Sequence, residues 1–216
     1  MATELWLVRH GQADFGSDDY DRLTDLGWQQ ARWLGDHLRA MGVAFDAVAA
    51  GTLRRQQETA FAVAEALEMP VETVEGLEEY DADALLSVSG GLAMSQATSR
   101  ADHFRRLRKV LADWAAGELH GVPESWEAFQ TRLGTATAVL TEGRSRVLAA
   151  SSGGAIAAIV ARALDLPAAQ MIELNLQARN TGVTRLIFAR RGVYLNQFNG
   201  VPHLDRPDRR HAETYS

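Results

Sequence analysis

Cysteine is absent from this 216-residue chain, which rules out disulfides, thiol nucleophiles and cysteine-ligated zinc. Lysine is nearly absent as well. Lys109 is the only one among 22 cationic residues, and the others are arginine. Codon preference produces that bias as easily as phosphate binding does, so it selects no function. The net charge of −6 argues against general affinity for nucleic acid. No apolar run approaches the roughly 18 residues that a membrane helix needs. A strand pattern follows Met1 almost at once and leaves no room for the segments of a secretory signal, so a soluble, cytoplasmic protein without membrane association is expected. The five prolines are scattered, and no repeat or low-complexity block interrupts the chain. Its length suffices for a sizeable core without metal or disulfide support.

The patterning that is present alternates strands and helices. Leu5–Val8 reads as a buried strand. Thr24 precedes a helical recurrence of Ala31, Leu34, Leu38 and Met41 that stops at Gly42. Residues 45–49 read as a strand, residues 53–67 as a helix closed by Pro70, and Val71–Val74 as a short strand. Ser87 to Ser99 is rich in Ser, Gly and Ala without period and is expected to be a mobile loop. Amphipathic helices follow around Phe104–Trp114 and Trp126–Leu140, then a strand at Arg146–Ser151 and a helix at Gly154–Leu164. Two strands flanking Arg190-Arg191-Gly192 form a hairpin signature. This order predicts a three-layer α/β fold: a mainly parallel sheet with one antiparallel edge strand, helices on both faces and a helical insertion near 80–135. Residues 1–204 read as a single domain, and the polar residues 205–216 as a mobile tail.

The most informative feature is Arg9-His10-Gly11, directly after the first strand. Ligands of open α/β sheets bind at the carboxyl ends of the strands. There an imidazole could attack a phosphoryl group beside a guanidinium that grips its oxygens. The alternative is a strand that merely ends at the surface. A second arginine segment, Leu53-Arg54-Arg55-Gln56-Gln57-Glu58-Thr59-Ala60, follows the second strand.

With these two segments the chain resembles the histidine phosphatase superfamily, also called phosphoglycerate-mutase-like. The likeness runs from about residue 4 to residue 200. The Leu-x-Arg-x-x-x-Thr-Ala frame selects Arg55 as the second phosphate-binding arginine, and Arg54 then reads as a solvated helix-start residue. Leu77-Glu78-Glu79 matches the Leu-x-Glu step of the family's proton donor and points to Glu79, with Glu78 as the competitor and a pair of surface acids as the alternative. Asn180-Thr181-Gly182, leading into a late strand, also fits. The departure lies in Ser151-Ser152-Gly153-Gly154, where Ser152 stands in the place of the family's second histidine.

The resemblance implies a metal-independent phosphate monoester hydrolase acting through a phosphohistidine, with no cofactor and a small phosphorylated substrate or a phosphoprotein as its partner. His10 would be the nucleophile, with its second ring nitrogen held by a backbone carbonyl, and Glu79 the acid and later the base. Arg9, Arg55, Gly11, Ser152 and Gly153 would bind the phosphate, aided by helix-start amides at Gly153 and Gly154. A neutral serine in place of a chargeable histidine implies lower activity, since removing one such donor costs roughly a hundred- to a thousandfold. Ser152 could instead simply cap the helix. The other readings are a phosphate-binding regulatory homologue with faded chemistry, or a phosphomutase. The segment Gln12-Ala13-Asp14-Phe15-Gly16 offers an acid where a mutase needs further cationic contacts. A serine hydrolase at Ser152 has only Asp205 and His211 as partners in the right order. His37 reads as solvent-facing, and His103 and His120 as surface residues that could line a pocket mouth. None of the remaining histidines, His203 included, has metal-ligand spacing. The tryptophans at helical spacing read as core, and nothing in the sequence indicates a homo-oligomer.

Overall fold

The computed structural model describes residues 2–13, 21–90 and 100–215. Asp14, Phe15, Gly16 and the side chain of His103 lie outside what it describes, as do residues 91–99 of the expected loop. Thr3–Arg9 forms β1, Ala47–Ala50 β2, Val71–Thr73 β3, Arg146–Ser151 β4, Val183–Ala189 β5 and Gly192–Gly200 β6. They make one sheet in the order β3-β2-β4-β1-β5-β6. The first four strands are mutually parallel, and β5 runs antiparallel to β1. The β5–β6 hairpin closes that side of the sheet as its antiparallel margin. This is the three-layer α/β architecture that the alternation of elements predicts.

Strand alternation sorts the core into two layers, because successive side chains point to opposite faces. Leu5, Leu7, Ala47, Ala49, Val147 and Ala149 pack against one set of helices. These are α3 (Ala82–Val88), α4 (Arg100–Ala115), α5 (Trp126–Thr141), α6 (Gly153–Ala163) and α7 (Ala168–Leu176). Trp6, Val8, Val48, Ala50, Leu148 and Ala150 face α1 (Asp25–Ala40) and α2 (Arg54–Leu67) on the other side. Small alanines on β2 and β4 let the helices approach the sheet closely. The expected insertion near 80–135 corresponds to α3, α4 and most of α5. Tyr80, Trp114, Trp126 and Phe129 stack there with ring centroids 5.1 to 6.1 Å apart.

Two expectations need correction, and one helix has no counterpart among them. Ser87 and Val88 are not loop but the end of α3, whose N-cap Asp81 accepts from the Ala84 amide at 2.9 Å. Helix α7 carries no clear apolar period, and its presence follows from packing on α6 rather than from local pattern. The carboxyl-terminal segment, expected to be mobile, lies against the domain: Ala212 is fully buried, Gln30 Nε2 donates to its carbonyl at 2.6 Å, and the Asn180 amide donates to the Thr214 carbonyl at 2.9 Å. Polar composition misleads there because a single buried alanine, clustered with Val201 and Leu204 against Leu26 and Trp33, and long-range hydrogen bonds hold the segment without an apolar stripe.

Candidate active site

The site forms where β1, β4 and the start of α2 converge. Arg9 and Ser151 are register partners, so His10 and Ser152 follow side by side at the carboxyl edge of adjacent parallel strands, and the His10 amide donates to the Ser151 carbonyl at 2.9 Å. A second amide, Asn180 Nδ2, donates to the His10 carbonyl at 3.1 Å. The His10 ring is buried and its Nδ1 lies 2.8 Å from the Gly11 carbonyl. A carbonyl can only accept, so the proton sits on Nδ1 and the lone pair on Nε2. Arg55 Nε donates toward that lone pair at 3.3 Å. Burial, and then the charges of Arg9 and Arg55, hold the His10 pKa well below the usual imidazole value. The His10 ring is thus fixed in orientation, with its pKa lowered and a lone pair on Nε2.

Arg55 and Arg54 part company at the first turn of α2. Arg55 is buried, with Nε on His10 and Nη1 2.7 Å from Asp21 Oδ1. Arg54 is largely exposed and its Nε pairs with Glu58 at 2.7 Å. Asp21 also accepts from the Arg54 amide at 2.9 Å, which caps a helix whose N-cap residue, Leu53, has no side-chain acceptor. Nothing in the local pattern points to Asp21, because the contact spans more than thirty residues. Arg9 Nη1 donates to the Ala178 carbonyl at 2.5 Å, and its Nε lies beside Gly153.

Glu79 and Glu78 also separate. Glu79 Oε2 accepts from the Gly154 amide at 2.8 Å, and Oε1 from its neighbour Tyr80 at 3.3 Å. Burial pushes the Glu79 pKa up, against the opposing pull of the Gly154 amide, Arg55 and Arg9. Desolvation thus outweighs the cations. A Cβ on Gly154 would collide with the Glu79 carboxyl and the Tyr80 ring. Glu78 instead turns to Thr52, whose Oγ1 donates at 2.8 Å, and its pKa is lowered.

Several of the remaining expectations shift. Gly11 spends its N–H on Thr59 Oγ1 at 3.0 Å, so it does not offer it to a phosphate. Glycine is required at that position for another reason, since a Cβ would come within 2.5 Å of the Gly27 carbonyl of α1. The Gly154 amide is likewise occupied, by Glu79. Ser152 occupies the N-cap position of α6 but makes no side-chain cap bond; its Oγ instead accepts from Gln56 Nε2 at 2.8 Å. The serine-hydrolase alternative fails at the same point, because His211 and Asp205 are exposed and Asp205 pairs with Arg210. His37 is half-buried rather than solvent-facing, while His120 is exposed.

A family model described as histidine phosphatase superfamily (branch 1) matches residues 5–200. The chain belongs to the histidine phosphatase superfamily. Among solved structures of similar fold are mycobacterial hydrolase 2, with a TM-score of 0.70 at 24% identity over 98% of this chain and 96% of that one. Another is a phosphoserine phosphatase from Entamoeba histolytica in complex with 3-phosphoglyceric acid, with a TM-score of 0.68 at 22% identity over 94% and 99%. At such identities the likeness shows the fold. Curated relatives include the mitochondrial serine/threonine-protein phosphatase Pgam5 of Drosophila grimshawi, 44% identical over 61 residues, which is 27% of this chain and 21% of the relative. The chain therefore spans about a fifth of the length of that relative. In this chain His10, Arg9 and Arg55 lie close enough that both arginine charges act on the His10 ring.

Proposed function

We propose that this protein is a phosphate monoester hydrolase that works through a phosphohistidine at His10. The carrying observation is the His10 ring: Nδ1–H fixed on the Gly11 carbonyl and Nε2 presented beside Arg55. A phosphoryl group arriving at Nε2 would replace that nitrogen as the acceptor for Arg55, and Arg9 would grip it from the β1 side. Electrostatic stabilisation of the spreading negative charge then comes from two guanidiniums and the Ser152 hydroxyl. Nε2 forms the new P–N bond as the P–O bond to the leaving group breaks. Glu79, whose pKa burial raises, gives its proton to the departing oxygen. The resulting carboxylate takes a proton from water as that water attacks phosphorus. The P–N bond breaks, and inorganic phosphate, neutral His10 and protonated Glu79 are restored.

The substrate is proposed only by class, a small phosphorylated compound or a phosphoprotein. The superfamily supports the first, and the Pgam5 name, serine/threonine-protein phosphatase, supports the second. Phosphate release from a generic aryl phosphate tests the proposal. The wild type should turn over, and His10→Ala should lose activity by about a thousandfold or more. Full turnover in His10→Ala, or none in the wild type, would refute hydrolysis at this residue.

A further inference from the structure

Gln56 is fully buried next to the site, and the reaction sequence above makes no use of it. Its amide orientation is fixed by chemistry. Nε2 donates at 3.1 Å to the Leu77 carbonyl, which can only accept, and at 2.8 Å to Ser152 Oγ. Oε1 is left facing Gly51, where a Cβ would overlap it, and it has no hydrogen-bond partner among the described residues. Buried amide oxygens are nearly always paired, and leaving one unpaired costs stability. A methionine would fill the same shape without that cost, so packing does not explain a glutamine here.

Its effect on Ser152 does. A hydroxyl has one proton to give and can accept twice. Ser152 Oγ accepts from an N–H of Gln56, so its own proton has to point elsewhere. The free N–H groups at the start of α6 cannot take it, because an N–H only donates, and none of them caps on Ser152 Oγ. The Leu77 carbonyl is not its target either, being served by Gln56 and by Ser151 Oγ at 2.7 Å. Ser152 sits beside His10 at the strand edge, with the Arg55 turn of α2 against it.

We infer that Gln56 is a positioning residue that makes the Ser152 hydroxyl a one-way donor to the phosphoryl oxygens, with Gly51 leaving the room its amide needs. The inference rests on the phosphoryl site proposed for His10, Arg9 and Arg55. It also assigns a reason for the buried, unpaired oxygen: a stability cost retained for the orientation of a neighbouring hydroxyl.

A double-mutant cycle tests it, with orthovanadate affinity measured by calorimetry beside kcat and KM on an aryl phosphate. Gln56→Met should weaken vanadate binding and lower kcat by about tenfold, with KM little changed and the unfolding midpoint equal or higher. Ser152→Ala should do the same, and adding Gln56→Met to it should cause no further loss. Gln56→Glu, isosteric but accepting where glutamine donates, should be at least as impaired as Gln56→Met. Equal losses from Gln56→Met with and without the Ser152 hydroxyl would overturn the inference, as would wild-type vanadate affinity in Gln56→Met. Vanadate coupling in a protein that releases no phosphate would uphold the positioning role and refute hydrolysis. Turnover without coupling would do the reverse, and a wild type that binds no vanadate would refute both.

Discussion

At the residue scale, neighbours in sequence take opposite roles. Arg54 and Arg55 both open α2, yet the rotation of about 100° between consecutive helical residues sends only Arg55 to His10 while Arg54 reaches out to Glu58. Glu78 and Glu79 divide likewise, one bound to Thr52 and the other to the Gly154 amide. The arginine pair gives a direct comparison. Arg55→Ala should lower kcat/KM for an aryl phosphate by roughly a hundred- to a thousandfold, the usual loss of a transition-state donor. Arg54→Ala removes an exposed i,i+4 ion pair and should leave activity within about twofold. Steady-state kinetics of the two variants decides, and the reverse ranking would place the phosphate on the wrong side of α2.

At the element scale, the sequence was most legible where period and cap agree. Thr24 caps α1 through its Oγ1, which accepts from the Gly27 amide at 3.0 Å, and the chain leaves the helix through Gly42 at φ +65°. The strand-end position of Arg9-His10 and the Leu-x-Arg frame of α2 were equally readable, since each motif sits at an element boundary. Long-range polar contacts were not. Asp21 capping α2, Asn180 on the His10 carbonyl and Gln56 on Ser152 join residues distant in sequence, and local pattern carries no trace of such pairs. The terminal segment shows the same limit. Gln30 links it to the site loop: Nε2 donates to Ala212 and to Thr214 Oγ1, while Oε1 accepts from the Gln12 amide at 2.8 Å. Glycines are a subtler case. Gly11 and Gly154 serve close approach to α1 and to Glu79 respectively, whereas the sequence suggested amides free for an anion.

At the scale of the whole molecule, the fold buries neutral histidines, and this sets its response to acid. The His203 pKa falls to about 3, through burial first and then the charges of His37 and Arg209, and His10 is lowered as well. Both groups take up protons near pH 6.5 when unfolded but not when folded. Their contribution is thus complete above pH 6.5 and is lost as pH falls below it, for His203 toward about 3. Glu79 acts oppositely: its raised pKa favours the fold below the usual carboxylate range and ceases to do so as pH rises through the raised value. Urea denaturation should show stability declining below pH 6.5 by up to about 1.4 kcal/mol per pH unit for each buried imidazole. His203→Gln should flatten the curve, and parallel curves for it and the wild type would contradict the assignment. The central proposal is that His10 carries the phosphoryl group. Its most direct test is rapid quenching of the enzyme with a ³²P-labelled aryl phosphate. The account predicts protein-bound label that is base-stable and acid-labile, located on His10 and absent from His10→Ala. Phosphate release with no such label, or an acid-stable label on Ser152, would contradict it.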